Sequence, residues 1–155
     1  MAHDPQIIIN TANSFFLAAD RAMEQRPLGS GQFQMLLVPA AVSTAFSVEL
    51  YFKAIITLEN GNAKGHDLST LFKHISASSQ AKLLAGLQLD QAAFEQRLGA
   101  ISAVFVEWRY IFEQQSAYLD FQFLTRLARE IKQVADAMAS PREFSVDQHP
   151  YEAKT

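Results

Sequence analysis

The sequence predicts an all-α domain, an up-and-down bundle of four to five helices, on three observations. Apolar residues recur at three- and four-residue steps through the long segments, the spacing that lines one face of a helix. The breaks between these segments are short and built from Asp, Asn, Gly and Pro, which start and stop helices. No internal repeat at a period of roughly 20 to 50 residues and no low-complexity stretch competes with that organisation.

Helix 1 opens at Asp4-Pro5. Aspartate can cap, and proline suits the first helical position because its missing N–H would be unsatisfied there anyway. Ile8, Ala12, Phe15, Ala19 and Ala22 form its inward stripe, and Arg26-Pro27 with Gly29 and Gly31 marks a loop. Helix 2 is expected from Gln34 to Glu59, ending at Asn60-Gly61, where both residues tolerate a left-handed backbone. Between Arg26 and Glu59 only Glu49 and Lys53 are charged, so this helix belongs at the centre, covered by neighbours or by a second copy. Leu68, Leu71, Phe72 and Ile75 make a short third helix, to which Gln80 to Leu87 add a turn or two. After a cap at Asp90, helix 4 carries Phe94, Leu98, Ile101, Phe105, Trp108 and Phe112 as one continuous stripe. A break near Gln115 to Tyr118 precedes helix 5, whose inward residues are Phe121, Leu124, Ala128, Ile131, Ala135 and Met138, ending at Ser140-Pro141. Residues 1–140 thus make one bundle domain, and 141–155 read as a mobile tail.

Composition narrows the classes of function. A chain of 155 residues with 49% hydrophobic and 19% charged residues has enough apolar surface for one packed core without metal or disulfide. The absence of cysteine excludes disulfides, thiolate metal sites and cysteine nucleophiles. His3, His66, His74 and His149 are scattered without metal-ligand spacing, so neither a metal nor another cofactor is expected. Gly29-Ser30-Gly31 lacks the lysine and preceding strand of a phosphate loop. A net charge of -3 gives no overall basic field, so polyanion binding would rest on a local patch. The N-terminus lacks the pattern of a secretory signal, and Glu49 and Lys53 argue against helix 2 as a membrane span; a soluble, cytoplasmic protein is expected.

Three segments in this order carry a family resemblance: Ser47-Val48-Glu49-Leu50-Tyr51-Phe52-Lys53-Ala54 on the long second helix, Gly65-His66-Asp67-Leu68 opening a short helix, and Glu107-Trp108-Arg109-Tyr110 on the fourth. Over roughly residues 5 to 138 the chain resembles HEPN-domain proteins. The resemblance implies a helical bundle that commonly dimerises, in a family divided between RNA-cutting toxins or defence proteins and members without demonstrated catalysis. The RNA-cutting members keep a histidine four to six residues beyond an arginine on the late helix. Here that arginine matches Arg109, and Gln114, Gln115 and Ser116 occupy the later positions, so the usual imidazole is missing.

Each candidate residue also has an ordinary structural explanation. Glu49 and Lys53, at i and i+4 with the acid first, suit an intrahelical ion pair, yet a buried pair is a poor source of stability, which leaves ligand contact open. Asp67 before Leu68 looks like a helix cap. His66 becomes an acid–base candidate only if the fold brings it to Glu49 or Arg109. Trp108 continues the core stripe. Arg109 lies about 40° beyond Phe105 on the helical wheel, at the margin of the apolar face with Glu113 one turn on. It reads either as half of a solvated pair or as a partly shielded phosphate fork. Tyr110 points away from the core and, with Tyr51, would anchor a homodimer built on helices 2 and 4. Three functions follow: a non-catalytic or degenerate interaction module holding a nucleotide or RNA at Arg109; a toxin–antitoxin or defence ribonuclease using Arg109 with His66 or Glu113; or a bundle holding a small apolar ligand between helices 2 and 4. An antitoxin or nucleotidyltransferase partner goes with the resemblance.

Overall fold

The computed structural model describes residues 3–102, 104–113 and 118–140, with Phe105 described in its backbone alone. Among them the chain forms α1 (Pro5–Ala22), a two-residue ladder of β1 (Arg26–Pro27) with β2 (Phe33–Gln34), α2 (Leu37–Leu58), α3 (Leu68–His74), α4 (Ala77–Leu87), α5 (Gln91–Ile101), α6 (Val104–Glu107), a 3-10 helix (Trp108–Glu113) and α7 (Phe121–Ala139). The all-α reading holds. The expected positions of Gln114, Gln115 and Ser116 and of the 141–155 tail lie outside the described residues.

Caps explain most of the boundaries. Asp4 accepts from Gln6 N at 2.8 Å, Asp90 from Ala93 N at 2.8 Å and Asp120 from Phe123 N at 3.1 Å, each relieving one of the donors a helix start leaves over. Asn60, at φ 61°, ends α2 in the left-handed region, and Gly61 N then donates to Ile56 O at 2.8 Å. Three expectations are corrected. The second helix begins at Leu37 rather than Gln34, because Gln34 is paired with Arg26 in the ladder. The Gln80 to Leu87 turn is an 11-residue helix, because Ser76 caps it by accepting from Ser79 N at 3.1 Å.

The third correction is the largest: the stripe from Phe94 to Phe112 is not one helix. α5 stops at Ile101, and Ser102 turns its hydrogen bonds to α3 instead. Its carbonyl accepts from Leu68 N at 3.4 Å, and its hydroxyl accepts from Ser69 N at 2.9 Å and donates to Asp67 at 2.7 Å. Beyond it the backbone resumes as α6 and then tightens into the 3-10 helix, with Tyr110 off helical geometry at φ -114°, ψ 23°.

α2 is the central helix. Twelve of its 22 residues are buried, against six of 19 in α7 and three of 18 in α1. It is long and apolar enough to cross a membrane, with a mean hydropathy of 1.4 over its best window, and 61% of that window is buried inside the bundle. α1, α3, α6 and α7 all pack on it. Phe52 and Ile56 are fully buried and Val42 and Phe46 half-buried, the latter edge-on to Phe15 at 4.5 Å. A chain of rings, Phe52 to Phe72 to Phe94 to Phe123, runs from α2 through α3 and α5 to α7 with centroids 6.3, 4.6 and 6.0 Å apart. Edge-to-face pairs of this kind add about 0.5–1.5 kcal/mol each beyond burial. Phe72 of α3 thus stands between Phe52 of α2 and Phe94 of α5. α7 buries Leu124, Ala128, Ile131 and Ala135 as expected, adds Phe123 and Leu127, and leaves Phe121 and Met138 half-buried.

Candidate functional site

Midway along α2, Glu49 is 0% exposed, and its Oε1 holds two basic side chains at once. Lys53 Nζ donates to it at 2.7 Å from one turn on, and His66 Nδ1 lies 2.8 Å away on the loop before α3. Oε2 is also buried and has no hydrogen-bond partner among the described residues. The Lys53 side chain is 20% exposed and the His66 ring 62%. The cluster is therefore a buried acid holding two bases at the surface. A carboxylate that also pairs with a lysine can only accept from the imidazole, so Nδ1 carries the hydrogen and, in the neutral ring, Nε2 is the basic nitrogen. The fold thus meets the condition that would make His66 an acid–base candidate. Sequence alone misses this pairing because His66 follows Glu49 by 17 residues across a loop.

The next residue is structural. Asp67 caps α3, accepting from Thr70 N at 2.7 Å through Oδ1, while Oδ2 accepts from Ser102 at 2.7 Å. The Ser102 hydroxyl is the main cause that holds this carboxyl below its usual range, burial opposing and the Thr70 bonds adding. Ser102 is a residue that sequence reasoning passed over, since an isolated serine inside an apolar helical stripe gives no sign that it will stitch two helices together. The stitch roots the 104–113 segment beside the loop that carries His66.

Arg109 sits on that segment and is exposed, not partly shielded as its wheel position suggests. The break at Ser102 and the non-helical Tyr110 are the reason: the segment no longer continues the α-helical wheel of Phe94 to Ile101 from which that position is reckoned. The Arg109 guanidinium lies 5.6 Å from the Tyr110 ring centroid. Tyr110 is 51% exposed, as expected of a residue facing away from the core, and Trp108 is half-buried against it. Tyr51, expected at an interface, is instead 0% exposed, its hydroxyl donating to Asn13 at 2.6 Å. Burial first, and the Asp136 charge second, push its hydroxyl well above the ordinary tyrosine value. It is a core residue because α1 covers that face of α2.

Elsewhere the polar clusters are built for packing. Glu59 accepts from Ser76 N, Ser76 Oγ and Ser79 Oγ, tying the end of α2 to the start of α4. Arg97 donates to Asp120 at 2.7 Å while its guanidinium lies 4.5 Å from the Phe123 ring, fixing α5 to the start of α7. Among the described residues, no three His, Asp or Glu side chains gather as metal ligands would. Comparison with protein-family models, with curated proteins and with solved structures finds no match to this chain.

Proposed function

We propose that this chain is a HEPN-like helical interaction module that binds a phosphate-bearing ligand, RNA or a nucleotide, through basic side chains around Glu49 and on the Arg109 segment, without cutting it. The observation that carries the reading is the single buried oxygen of Glu49 holding both Lys53 and His66. Burying an ion costs several kcal/mol, and apolar replacements are often as stable, so stability alone is a weak reason to keep such a cluster. What it does achieve is to fix two basic groups in place before a ligand arrives, which lowers the cost of binding an anion. Arg109, exposed and rooted beside the same loop by Ser102, adds a planar fork of donors suited to phosphate. Asp67 serves the site only by holding that loop.

Cutting would need a proton donor and acceptor at the scissile phosphate, and no histidine follows Arg109 at the positions where RNA-cutting relatives keep theirs. The expected result is that purified protein leaves single-stranded RNA intact, while Arg109→Ala abolishes RNA or nucleotide binding in a titration without changing the circular dichroism spectrum. Retained binding in Arg109→Ala would overturn the reading. One observation favours a second reading, a toxin or defence ribonuclease: Glu49 orients His66 as a general base would be oriented. Cleavage that disappears in both His66→Ala and Arg109→Ala would establish it. Glu113, exposed at the end of the 3-10 helix, is the other partner this second reading offers.

The same reading places the protein in the cytoplasm as a homodimer, with an antitoxin or nucleotidyltransferase as its partner. Val106, Tyr110 and Phe112, 38%, 51% and 79% exposed on one short segment, support the dimer, since aromatic side chains left in water are those that interfaces use. Light scattering at tens of micromolar tests it, and a monomer mass would remove it.

A further inference from the structure

A groove of about 770 Å³ runs along the C-terminal half of α2, bounded by the start of α1 and by the 60–64 loop. Its floor is apolar: Ile8, Leu50 and Ala63 each pack on the core from one side and remain half-exposed on the other. Its titratable lining is Lys53, Lys64 and His3, with no carboxylate among the described residues that line it. In a chain of net charge -3, a wall whose titratable groups are all basic, with the neutral polar side chains Thr57, Asn60 and Asn62 beside them, over an apolar floor is complementary to one kind of molecule.

We propose that this groove binds a small amphipathic anion, its carboxylate, phosphate or sulfonate head between Lys53 and Lys64 and its apolar body on Ile8, Leu50 and Ala63. Lys53 is placed in advance: its 2.7 Å bond to Glu49 holds the ammonium at the groove wall and uses one of its three donors. Glu49 itself is absent from the lining, so the anion meets the lysine and not the acid behind it. The carbonyl end of α2 points toward this loop, and its negative partial charge is offset locally. Glu59 N, Asn60 N and Gly61 N donate to Ile55 O, Thr57 O and Ile56 O at 2.9, 3.1 and 2.8 Å. Lys53 is common to the phosphate reading, but neither Arg109 nor His66 lines the groove and Lys64 belongs to the groove alone, so a change at Lys64 tests the groove apart from that reading.

The test uses 1-anilinonaphthalene-8-sulfonate, a fluorescent amphipathic anion, and its uncharged counterpart N-phenyl-1-naphthylamine, titrated into the full chain with octanoate and phenyl phosphate as competitors. The component that a competitor displaces is the groove signal, and which competitor works tells a carboxylate head from a phosphate head. The groove should bind the anionic dye at least about tenfold tighter than the neutral one, and Lys64→Glu should weaken it by about tenfold or more, since reversing a charge near an anion changes attraction into repulsion. Lys64→Ala, which adds no repulsion, should weaken it less, with the circular dichroism of both variants unchanged because Lys64 is exposed on a loop. Displacement by neither competitor, equal binding of the neutral dye, or an unaltered titration in Lys64→Glu would each overturn the proposal.

Discussion

Replacing Glu49 with glutamine preserves the shape of the side chain and removes its charge, so the response isolates what the buried carboxylate does. Removing one partner of a fully buried ion pair costs about 3–5 kcal/mol, because the other charge is stranded. Here the stranded groups are Lys53, 20% exposed, and His66, 62% exposed, and both can turn toward water. Both bonds, at 2.7 and 2.8 Å, lose their ionised acceptor and weaken, although the Lys53 ammonium remains a charged donor. The new amide also places an N–H₂ where Oε2 is buried without a partner, or flips and loses its acceptor. A net destabilisation of about 1–3 kcal/mol follows, well above the few tenths typical of an exposed helical pair. For a chain of this size that lowers Tm by about 2–4 °C per kcal/mol. Glu49→Leu, which carries no orphaned polar atom, should be at least as stable as Glu49→Gln. Urea denaturation of Glu49→Gln, Lys53→Met and the double variant measures the coupling directly. A value under about 0.5 kcal/mol would put the pair effectively in water and refute the reasoning.

Three further perturbations test the packing and the stitch. Asp67 titrates below its ordinary value near 3.8 in the folded chain, so its stabilisation is present above that value and is lost as pH falls through the lower, folded one. Ser102→Ala removes the largest cause of that shift and should cost about 1–2 kcal/mol at pH 7, with the gap to the parent protein narrowing below about pH 4 in acid titrations followed by circular dichroism; a gap that stays constant through acid would show that the carboxylate is not involved. Gly61→Ala would bring a Cβ to 2.7 Å from Ile56 Cγ2 and 3.0 Å from Ile56 O, and should destabilise by about 1–3 kcal/mol. Gly86→Ala meets only the flexible end of Glu130 and should gain up to about 1 kcal/mol in helix propensity. Thermal melts that rank the two alanine variants the other way round would contradict the packing described.

The helices were legible where a cap and a period agree. Asp4, Asp90 and Asn60 mark ends in the sequence and in the structure, and the near absence of charge in α2 foretells its central place. The sequence failed where a tertiary hydrogen bond overrode a local pattern. Phe94 to Phe112 keeps helical spacing straight through Ser102, and nothing in that spacing reveals that Ser102 will bond to Asp67, Leu68 and Ser69 of another helix. The same limit hid half of the site. Glu49 and Lys53 are a visible i, i+4 pair, but His66 joins them only through the path of a loop, and Arg109 loses its expected shielding once the segment leaves the α-helical wheel after Ser102. Tyr51 shows the converse error: a polar aromatic taken for surplus surface is covered because Asn13 on α1 offers its hydroxyl an acceptor.

The burial of α2 has a consequence in time as well as in space. Synthesis delivers the helices in chain order, so α1 is on hand when α2 emerges, whereas α7, which covers another part of it, begins only at Phe121. At about 5–20 residues per second, the most apolar helix spends several seconds with one flank open. During that interval it offers a membrane-insertion apparatus a segment of spanning length, and other nascent chains an adhesive surface. A chaperone that shelters α2 until α7 arrives would therefore raise the yield of folded protein, as would a circular permutation that places α7 ahead of α1.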